Sequence, residues 1–352
     1  MASDKDPVVK PVVKIALVGF GRAGHMHLSS IRSNHRCVLK YVVELAGERE
    51  EAARQELVGL NMADSVTVIS SDRFDSVVLA DPDLNAVMIT TPTDQHEVYI
   101  AKSISAGKAV FCEKPIAESI DTVRKCYEEA ERAKLPLFCA FNRRFDPAFN
   151  DLRERVRGGE LGKVHCISTT SRDSPLPSMS YLKISNGMYH DCAVHDIDTV
   201  CWILGEEPSH VYAQGHAQKK EIVDINDVDT VVIVLTFPSG VLASVNLSRH
   251  SSYGYDQRIE VLGDKGMLSI VNPHSLPLVS STATGINLSP YQYSFPERYE
   301  ASYRNELHHF IDCIQDPSLE MKVNVNDTVR ATRIAQACER SAVSKKAELL
   351  ET

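Results

Sequence analysis

The sequence lacks the features that mark nucleic-acid-binding, membrane-spanning or disulfide-stabilised proteins. It has no block of basic residues and a net charge of −9, so nucleic acid and anionic membranes are poor partners. Even its longest uninterrupted apolar runs, such as Val231–Leu235, are far too short to cross a bilayer. Its nine cysteines form neither a C-x-x-C pair nor a cluster with zinc-ligand spacing. We therefore expect reduced thiols, no metal and a cytoplasmic protein.

The N-terminal segment also lacks the apolar stretch of a secretory signal. Residues 1–11 mix charged residues with prolines, and we expect them to form a flexible tail. A chain of 352 residues is long for a single hydrophobic core, so we expect two domains after this tail.

Residues 12–141 alternate short β-rich runs with helical patterns, such as those at Asp94–Ala106 and Ser119–Lys134. This βαβ order predicts an α/β domain with a doubly wound parallel sheet of the Rossmann type. The β-rich runs are Val12–Val18, Val38–Val43, Ser65–Ile69, Ala86–Thr90, Ala109–Phe111 and Leu137–Phe141.

Residues 142–352 have a different pattern, in which strand-like runs follow one another through short turns. Phe237–Val241 and Leu262–Gly266 have the composition of such turns. The pattern predicts an α+β domain with a large, mostly antiparallel sheet. The segment Asn272–Tyr293 is rich in Ser, Thr and Pro, and we expect it to be a loop.

A glycine-rich turn follows the first β-rich run. Gly19, Gly21 and Gly24 have G-x-G-x-x-G spacing, and Glu44 follows at the end of the second run. This order of strand, glycines, helix, strand and acid is the fingerprint of dinucleotide binding. The glycines would bring the backbone close to a pyrophosphate at a helix N-terminus. Glu44 would accept hydrogen bonds from a ribose with a free 2′-hydroxyl, which favours NAD.

A second motif, Glu113-Lys114-Pro115, directly follows a β-rich run. Doubly wound sheets bind ligands at the carboxyl ends of their strands, which is where this motif would lie. Lys114 could hold a substrate hydroxyl near a nicotinamide. On its spacing alone, a loop lysine in water is the commoner outcome, so both interpretations stay open.

A third motif pairs Asp191 with His195 at the start of a helical pattern that spans Tyr189–Leu204. The i,i+4 spacing places both side chains on one helix face. A histidine beside a carboxylate suits a general base that takes a hydroxyl proton. A metal site that includes His190 and a histidine packed in the core are the alternatives.

Three polar clusters are further candidates for contacts with a hydroxyl-rich ligand. They are Asn142–Asp146 with its two arginines, Ser171-Arg172-Asp173, and Tyr253–Arg258. The adjacent arginines could clamp a ligand or lock an interface between domains. For each of the other two clusters, taken alone, an exposed loop is the commoner outcome.

Together these motifs resemble the glucose–fructose oxidoreductase / inositol dehydrogenase (Gfo/Idh/MocA) family from Val12 to about Ser344. The polar clusters are most similar to those of its inositol 2-dehydrogenase branch, although Asn186-Gly187 stands where that branch often has two glycines. The resemblance implies NAD-dependent oxidation of a secondary hydroxyl on a cyclic polyol or sugar, with an inositol favoured. It also implies that residues 142–352 bind substrate and form a homodimer or homotetramer. A sugar dehydrogenase, an NAD-dependent glycosidase and a non-catalytic NAD-binding regulator are the alternatives.

The resemblance further implies roles for individual residues. The catalytic set would be Lys114, Asp191 and His195. The cofactor-binding residues would be Gly19, Phe20, Gly21, Arg22, Ala23, Gly24, Glu44, Thr91, Pro92, Thr93, His96, Glu113 and Lys114. The substrate-binding residues would be Arg144, Arg172, Asp173, Asp191, His195, Tyr253 and Tyr255.

The position of Glu44 predicts that the protein uses NAD in preference to NADP, because its carboxylate would repel a 2′-phosphate. The measurement is kcat/KM with each cofactor under the same conditions. Arg49 is near enough in sequence to offset the repulsion. Equal or better use of NADP would therefore show that Glu44 does not select the cofactor.

Overall fold

The computed structural model describes residues 10–350, so residues 1–9 of the expected tail lie outside the described residues. The chain forms two compact units. The first unit comprises the chain up to Ala117, Asp121–Ala140 and Tyr303–Asn324, and the second comprises Glu118–Ile120, Phe141–Ser302 and the chain from Val325 onward. No helix within residues 10–350 is long and apolar enough to cross a bilayer. All nine cysteines are free.

The first unit contains a six-stranded sheet of order β3-β2-β1-β4-β5-β6, in which every pairing is parallel. The prediction of a doubly wound parallel sheet is confirmed. The strands are β1 (Val13–Val18), β2 (Cys37–Glu44), β3 (Thr67–Ser70), β4 (Ala86–Ile89), β5 (Ala109–Cys112) and β6 (Leu137–Cys139). The helices are α1 (Arg22–Arg32), α2 (Glu48–Gly59), α3 (His96–Ser105) and α4 (Ile120–Ala133).

The central strands β4 and β5 are continuous apolar runs, and β1 is apolar apart from Lys14, because both faces of a parallel sheet are covered. Every residue of β4 and β5 is buried. A sheet of this kind exposes only the loops at its strand ends, and those loops carry the motifs at Gly19, Thr91 and Lys114.

The second unit contains a seven-stranded sheet of order β12-β11-β7-β10-β9-β8-β15. All its pairings are antiparallel except that of β7 with β10, so the predicted mostly antiparallel sheet is confirmed. The strands are β7 (Val164–Arg172), β8 (His210–His216), β9 (Thr230–Thr236), β10 (Leu242–Ser248), β11 (Asp256–Gly263), β12 (Gly266–Ile270) and β15 (Glu348–Leu349). Buried and exposed residues alternate along β9 and β10, so one sheet face is covered and the other is open.

The helices of this unit are α5 (Pro147–Arg157), α6 (Met179–Leu182), α7 (Val194–Leu204), α8 (Lys220–Val223), α9 (Phe295–Arg298) and α11 (Val325–Ser344). Helices α5, α7 and α11 pack against strands of the sheet. The predicted helix over Tyr189–Leu204 is divided. A π-helical turn at Tyr189–Ala193 precedes α7, and such turns are frequent at functional sites.

The expectation that Asn272–Tyr293 is a loop is wrong in part. The segment contains a two-stranded hairpin, β13 (Val279–Thr282) with β14 (Gly285–Leu288). All residues of both strands are exposed, so they lack the alternation of apolar and polar residues by which a half-buried strand is recognised.

A segment that the sequence assigned to the second domain, Tyr303–Asn324, packs with the first unit. It contains most of α10 (Glu300–Gln315), whose Phe310 ring lies edge-on to Phe111 of β5, with 5.6 Å between the ring centroids. The apolar spacing of a helix does not reveal which sheet it covers. We propose that this segment completes the domain of residues 12–141.

Candidate active site

Three glycines shape the turn between β1 and α1. Gly19 has φ of +89°, and a Cβ there would lie 3.0 Å from the Thr90 backbone. A Cβ on Gly24 would lie 2.4 Å from the Gly19 carbonyl oxygen, so α1 approaches the end of β1 this closely only without a side chain at residue 24. A Cβ on Gly21 would have no described atom within 4 Å. The turn is therefore closed against the sheet and open at Gly21.

The N-terminus of α1 is built to receive an anion. Gly21 is its N-cap, no side chain caps the helix, and no acidic residue lies in the first turn. The first amide groups of a helix and its dipole favour negative charge at this end. A pyrophosphate fits both the charge and the open space at Gly21.

Glu44 ends β2 beside this turn. Its buried carboxylate accepts hydrogen bonds from the backbone N–H groups of Phe20, at 2.6 Å, and Leu45, at 2.9 Å. A carboxylate oxygen accepts more than one hydrogen bond, so Glu44 keeps capacity for ribose hydroxyls. Arg49 lies 3.9 Å from the same carboxylate.

The loop after β4 contributes Thr91, whose Oγ1 is buried with no hydrogen-bond partner among residues 10–350. A buried hydroxyl without a partner is unusual and fits a site that a polar ligand completes. Together with the open helix N-terminus and Glu44, this hydroxyl shows that the first unit fits a dinucleotide. Pro92 and Thr93 follow Thr91 along the chain, and Arg22 and Ala23 are the first two residues of α1.

His96 ties this loop to the Glu113-Lys114-Pro115 loop. One ring nitrogen lies 2.7 Å from the Pro115 carbonyl and the other 2.9 Å from the Thr91 carbonyl. Burial lowers the pKa of His96, although both carbonyls favour the charged ring. The geometry therefore favours His96 as the residue that holds the two loops together.

Asp191 is held in place by two residues that the sequence analysis did not single out. Arg249 is completely buried and donates from Nη1 to Asp191 at 2.9 Å and from Nη2 to Asp227 at 3.2 Å. Tyr181 donates its hydroxyl to the other Asp191 oxygen at 2.8 Å. Burial and the Asp191 charge raise the pKa of Tyr181 well above its usual range, so it remains a donor.

Asp173 lies close to Asp191. The Cys192 sulfur lies 3.7 Å from an Asp173 oxygen and 3.9 Å from an Asp191 oxygen. Burial raises the pKa of Tyr255 well above its usual range, and neighbouring Tyr299 and Asp173 add to the effect. These groups, and His195 in the first turn of α7, lie on the helix-covered side of the sheet.

Arg172 and Tyr253 lie on the other side of the sheet. Along β7, Ser171 bonds Asp196 on α7, so the adjacent Arg172 points to the open face. There its guanidinium donates to the Tyr253 hydroxyl at 3.0 Å and to Asn246 at 3.2 Å. The expectation that Arg172 and Tyr253 share a pocket with Asp191 is therefore corrected, because successive strand residues face opposite ways.

Arg144 is also unsuited to the substrate role expected for it. Its buried guanidinium bonds Asp198 at 2.5 Å and Asp327 at 3.0 Å, and it lies over the Trp202 ring. Arg143 is similarly paired with Asp196 at 3.0 Å. Both arginines therefore stabilise the interior of the second unit.

Nothing in their sequence context distinguished Arg249 and Tyr181. Arg249 follows a strand and precedes an exposed histidine, as many solvated arginines do. Its role depends on Asp191 and Asp227, which lie 58 and 22 positions away. Among residues 10–350, no group of three or more His, Cys, Asp or Glu side chains is arranged to hold a metal.

Two family profiles match the chain. Residues 13–141 match the profile described as oxidoreductase family, NAD-binding Rossmann fold, and residues 149–269 match that of the GFO/IDH/MocA C-terminal domain. The two matched regions correspond to the parallel sheet and to most of the second sheet.

Several relatives resemble the chain over nearly its whole length. Myo-inositol 2-dehydrogenase of Thermotoga maritima is 34% identical, over 96% of this chain and 99% of that protein. The scyllo-inositol 2-dehydrogenase (NAD(+)) of Bacillus subtilis is 30% identical, over 90% of each. The crystal structure of a putative myo-inositol dehydrogenase from Sinorhizobium meliloti superimposes with a TM-score of 0.89, at 35% identity over 97% of this chain and 100% of that one.

Replacing the buried arginine tests how Asp191 is held. Arg249→Met should lower the free energy of unfolding by about 3–5 kcal/mol, because it leaves two buried carboxylates without their cation. Urea unfolding of the full chain measures the change. Arg155→Met, which removes an exposed ion pair with Glu160, is the matched control and should have a much smaller effect. Similar losses in both variants would show that the Arg249 pairs contribute no more than surface ones.

Proposed function

The chain belongs to the Gfo/Idh/MocA oxidoreductase family, and we propose that it is an NAD-dependent dehydrogenase that oxidises a secondary hydroxyl of an inositol. The observation that carries the substrate class is the pair of carboxylates, Asp173 and Asp191, on either side of Cys192. Similarity to myo- and scyllo-inositol dehydrogenases supports a cyclitol.

We propose that Lys114, Asp191 and His195 are the catalytic residues. Bound NAD supplies the hydride acceptor. His195 takes the proton of the reacting hydroxyl, since an imidazole titrates near neutral pH. Lys114 donates a hydrogen bond to the same oxygen, and Asp191 accepts one from a neighbouring hydroxyl. Arg249 and Tyr181 orient Asp191 without touching the substrate.

Cofactor binding is assigned to the loops at the carboxyl ends of β1, β2, β4 and β5. We propose that the α1 N-terminus binds the pyrophosphate and that Glu44 binds the adenosine ribose. His96 and Glu113 act through the loops that they hold, because their own polar atoms bond protein groups.

A polyol satisfies the polar groups of the second unit better than a simple alcohol does. Asp173, Asp191, His195 and Tyr255 can each exchange a hydrogen bond with a ligand hydroxyl, and a polyol offers several such hydroxyls where a simple alcohol offers one. Arg144, Arg172 and Tyr253 are left out of this set by their positions. The smaller set still favours a ligand with several hydroxyls.

The open face of the second sheet suits an interface between copies of the chain. It exposes Val232, Val234, Leu242 and Met267, of which Val232 is 45% and Leu242 52% exposed. We propose a homodimer or homotetramer formed through this face, which sedimentation velocity of the full chain would test. We also propose that the protein is located in the cytoplasm, where free cysteines stay reduced.

The substrate class is tested by assaying myo-inositol, scyllo-inositol, glucose and cyclohexanol with NAD and measuring NADH absorbance. We expect an inositol to be preferred, and cyclohexanol to react with a kcat/KM lower by about 10⁴. Cyclohexanol matching the polyols would contradict the polar pocket. Glucose exceeding both inositols would keep the redox reaction but replace the substrate.

The proposed base is tested by His195→Ala. Turnover should fall by about 10²–10⁴-fold, because no other group is assigned to take the hydroxyl proton. NADH affinity, measured by fluorescence titration, should stay the same, since the assigned cofactor loops belong to the other unit. His216→Ala is the matched control, because His216 is exposed on β8. Near-normal turnover in His195→Ala would assign the base to another residue.

A further inference from the structure

A completely buried glutamate, Glu306, lies on α10 without the partners that a buried carboxylate ordinarily has. Neither of its carboxyl oxygens has a hydrogen-bond partner among residues 10–350. An ionised carboxylate in this state would carry a large desolvation cost. Buried polar groups of this kind call for a specific explanation.

The packing of α10 places Glu306 against the end of β5. Tyr303 and Phe310 lie three and four residues to either side of it, on the same helix face. The Tyr303 ring is edge-on to His27 of α1 at 5.7 Å, and the Phe310 ring is edge-on to Phe111 of β5 at 5.6 Å. The face that carries Glu306 is therefore turned toward α1 and β5.

Glu113 lies at this end of β5 and is held by two donors. His27 Nε2 lies 2.7 Å from one carboxyl oxygen, and the backbone N–H of Lys114 donates to the other at 3.3 Å. Because His27 is completely buried, this bond spans α1 and the β5 loop within the interior. The carboxylate of Glu113 thus fixes the backbone of the residue that we assign to catalysis.

The pKa values of Glu113 and Glu306 shift in opposite directions. Burial would raise the pKa of Glu113, but His27 and the Lys114 charge outweigh it, so its pKa is lowered. Burial, and then the charge of Glu113, raise the pKa of Glu306 well above its usual range. Among the described residues, three titratable groups face the pair: His27 from α1, Lys114 from the loop and Tyr303 from α10. The charge of Glu113 also favours the charged form of His96 on α3. Two carboxyl groups that share a buried site do not both ionise readily.

We propose that Glu306 is a positioning residue that holds a proton beside the Glu113 carboxylate, and that this neutral and anionic pair sets the orientation of the loop that carries Lys114. As a neutral acid, Glu306 avoids the cost of a second buried charge and has an O–H that can donate toward Glu113. The protonated state of Glu306 does not depend on the proposed function. The link to Lys114 rests on the proposed function.

Infrared difference spectroscopy tests directly whether Glu306 carries a proton. At about neutral pH, the carbonyl stretch of a protonated carboxylic acid should be present in the full-length wild type, shift in D₂O, and disappear in Glu306→Gln. Glu113→Gln should keep the band, because Glu306 stays buried. Its persistence in Glu306→Gln, or its loss in Glu113→Gln, would overturn the assignment.

The pH dependence of unfolding gives a second readout. A carboxyl group whose pKa is raised in the folded state makes folding less favourable once the pH rises above the pKa that the group has in the unfolded chain, near 4.5. From about pH 5 to about pH 9, the unfolding temperature of Glu306→Gln should therefore rise by a few degrees relative to wild type. Glu128→Gln, on the exposed side of α4, is the matched control and should show a constant difference. A constant difference for Glu306→Gln as well would contradict a raised pKa.

Kinetics test the positioning role. Glu306→Leu lacks a donor and should lower kcat by about 10- to 100-fold, whereas Glu306→Gln should restore most of it because its amide still donates. NADH affinity should be unchanged in both. Equal losses in the two variants would show that the ionised carboxylate is needed and would overturn the proposal. If no polyol is oxidised at all, the proposed function fails, while the infrared and unfolding measurements still decide the state of Glu306.

Discussion

The close approach of α1 to β1 is the constraint on which the first unit depends. The Gly19 carbonyl occupies the space that a side chain at Gly24 would need, so α1 can lie against the strand only because residue 24 is glycine. This approach aims the uncapped helix N-terminus at the carboxyl edge of the sheet. One turn further along α1, the same packing brings His27 to Glu113. The proposed phosphate site and the shape of the lysine loop therefore share one packing requirement.

In the second unit, the equivalent constraint is the pairing of buried charge. Arg143, Arg144 and Arg249 are all buried, and each is paired with one or more aspartates from other elements. Burial makes these pairs costly to break, so they set where their partners point. Asp191 is aimed by Arg249 and Tyr181, while Arg144 is committed to Asp198 and Asp327. Arg249 and Arg144 therefore have unrelated roles. Arg249 lies beside the candidate site, whereas Arg144 lies within the helix packing.

The candidate substrate site is smaller than the number of polar residues in the motifs suggests. Strand geometry sends Arg172 to the open face and Asp173 to the covered face, although they are adjacent in sequence. The groups that remain near Asp191 are two carboxylates, a tyrosine and a histidine. A site with this composition would distinguish ligands by the pattern of their hydroxyls.

The sequence by itself determined the parallel sheet, the glycine turn, the acid at Glu44 and the family, because each depends on local order along the chain. Strand periodicity and turn composition also determined the second sheet. Only the tertiary structure decided which polar residues meet. Arg249 and Asp191 are 58 positions apart, and Glu306 returns from the far end of the chain to the first unit. Neither the exposed hairpin β13–β14 nor the face on which Arg172 lies could be predicted from the sequence. Local patterns determine the elements, whereas the contacts of a buried polar side chain depend on residues that no local pattern specifies.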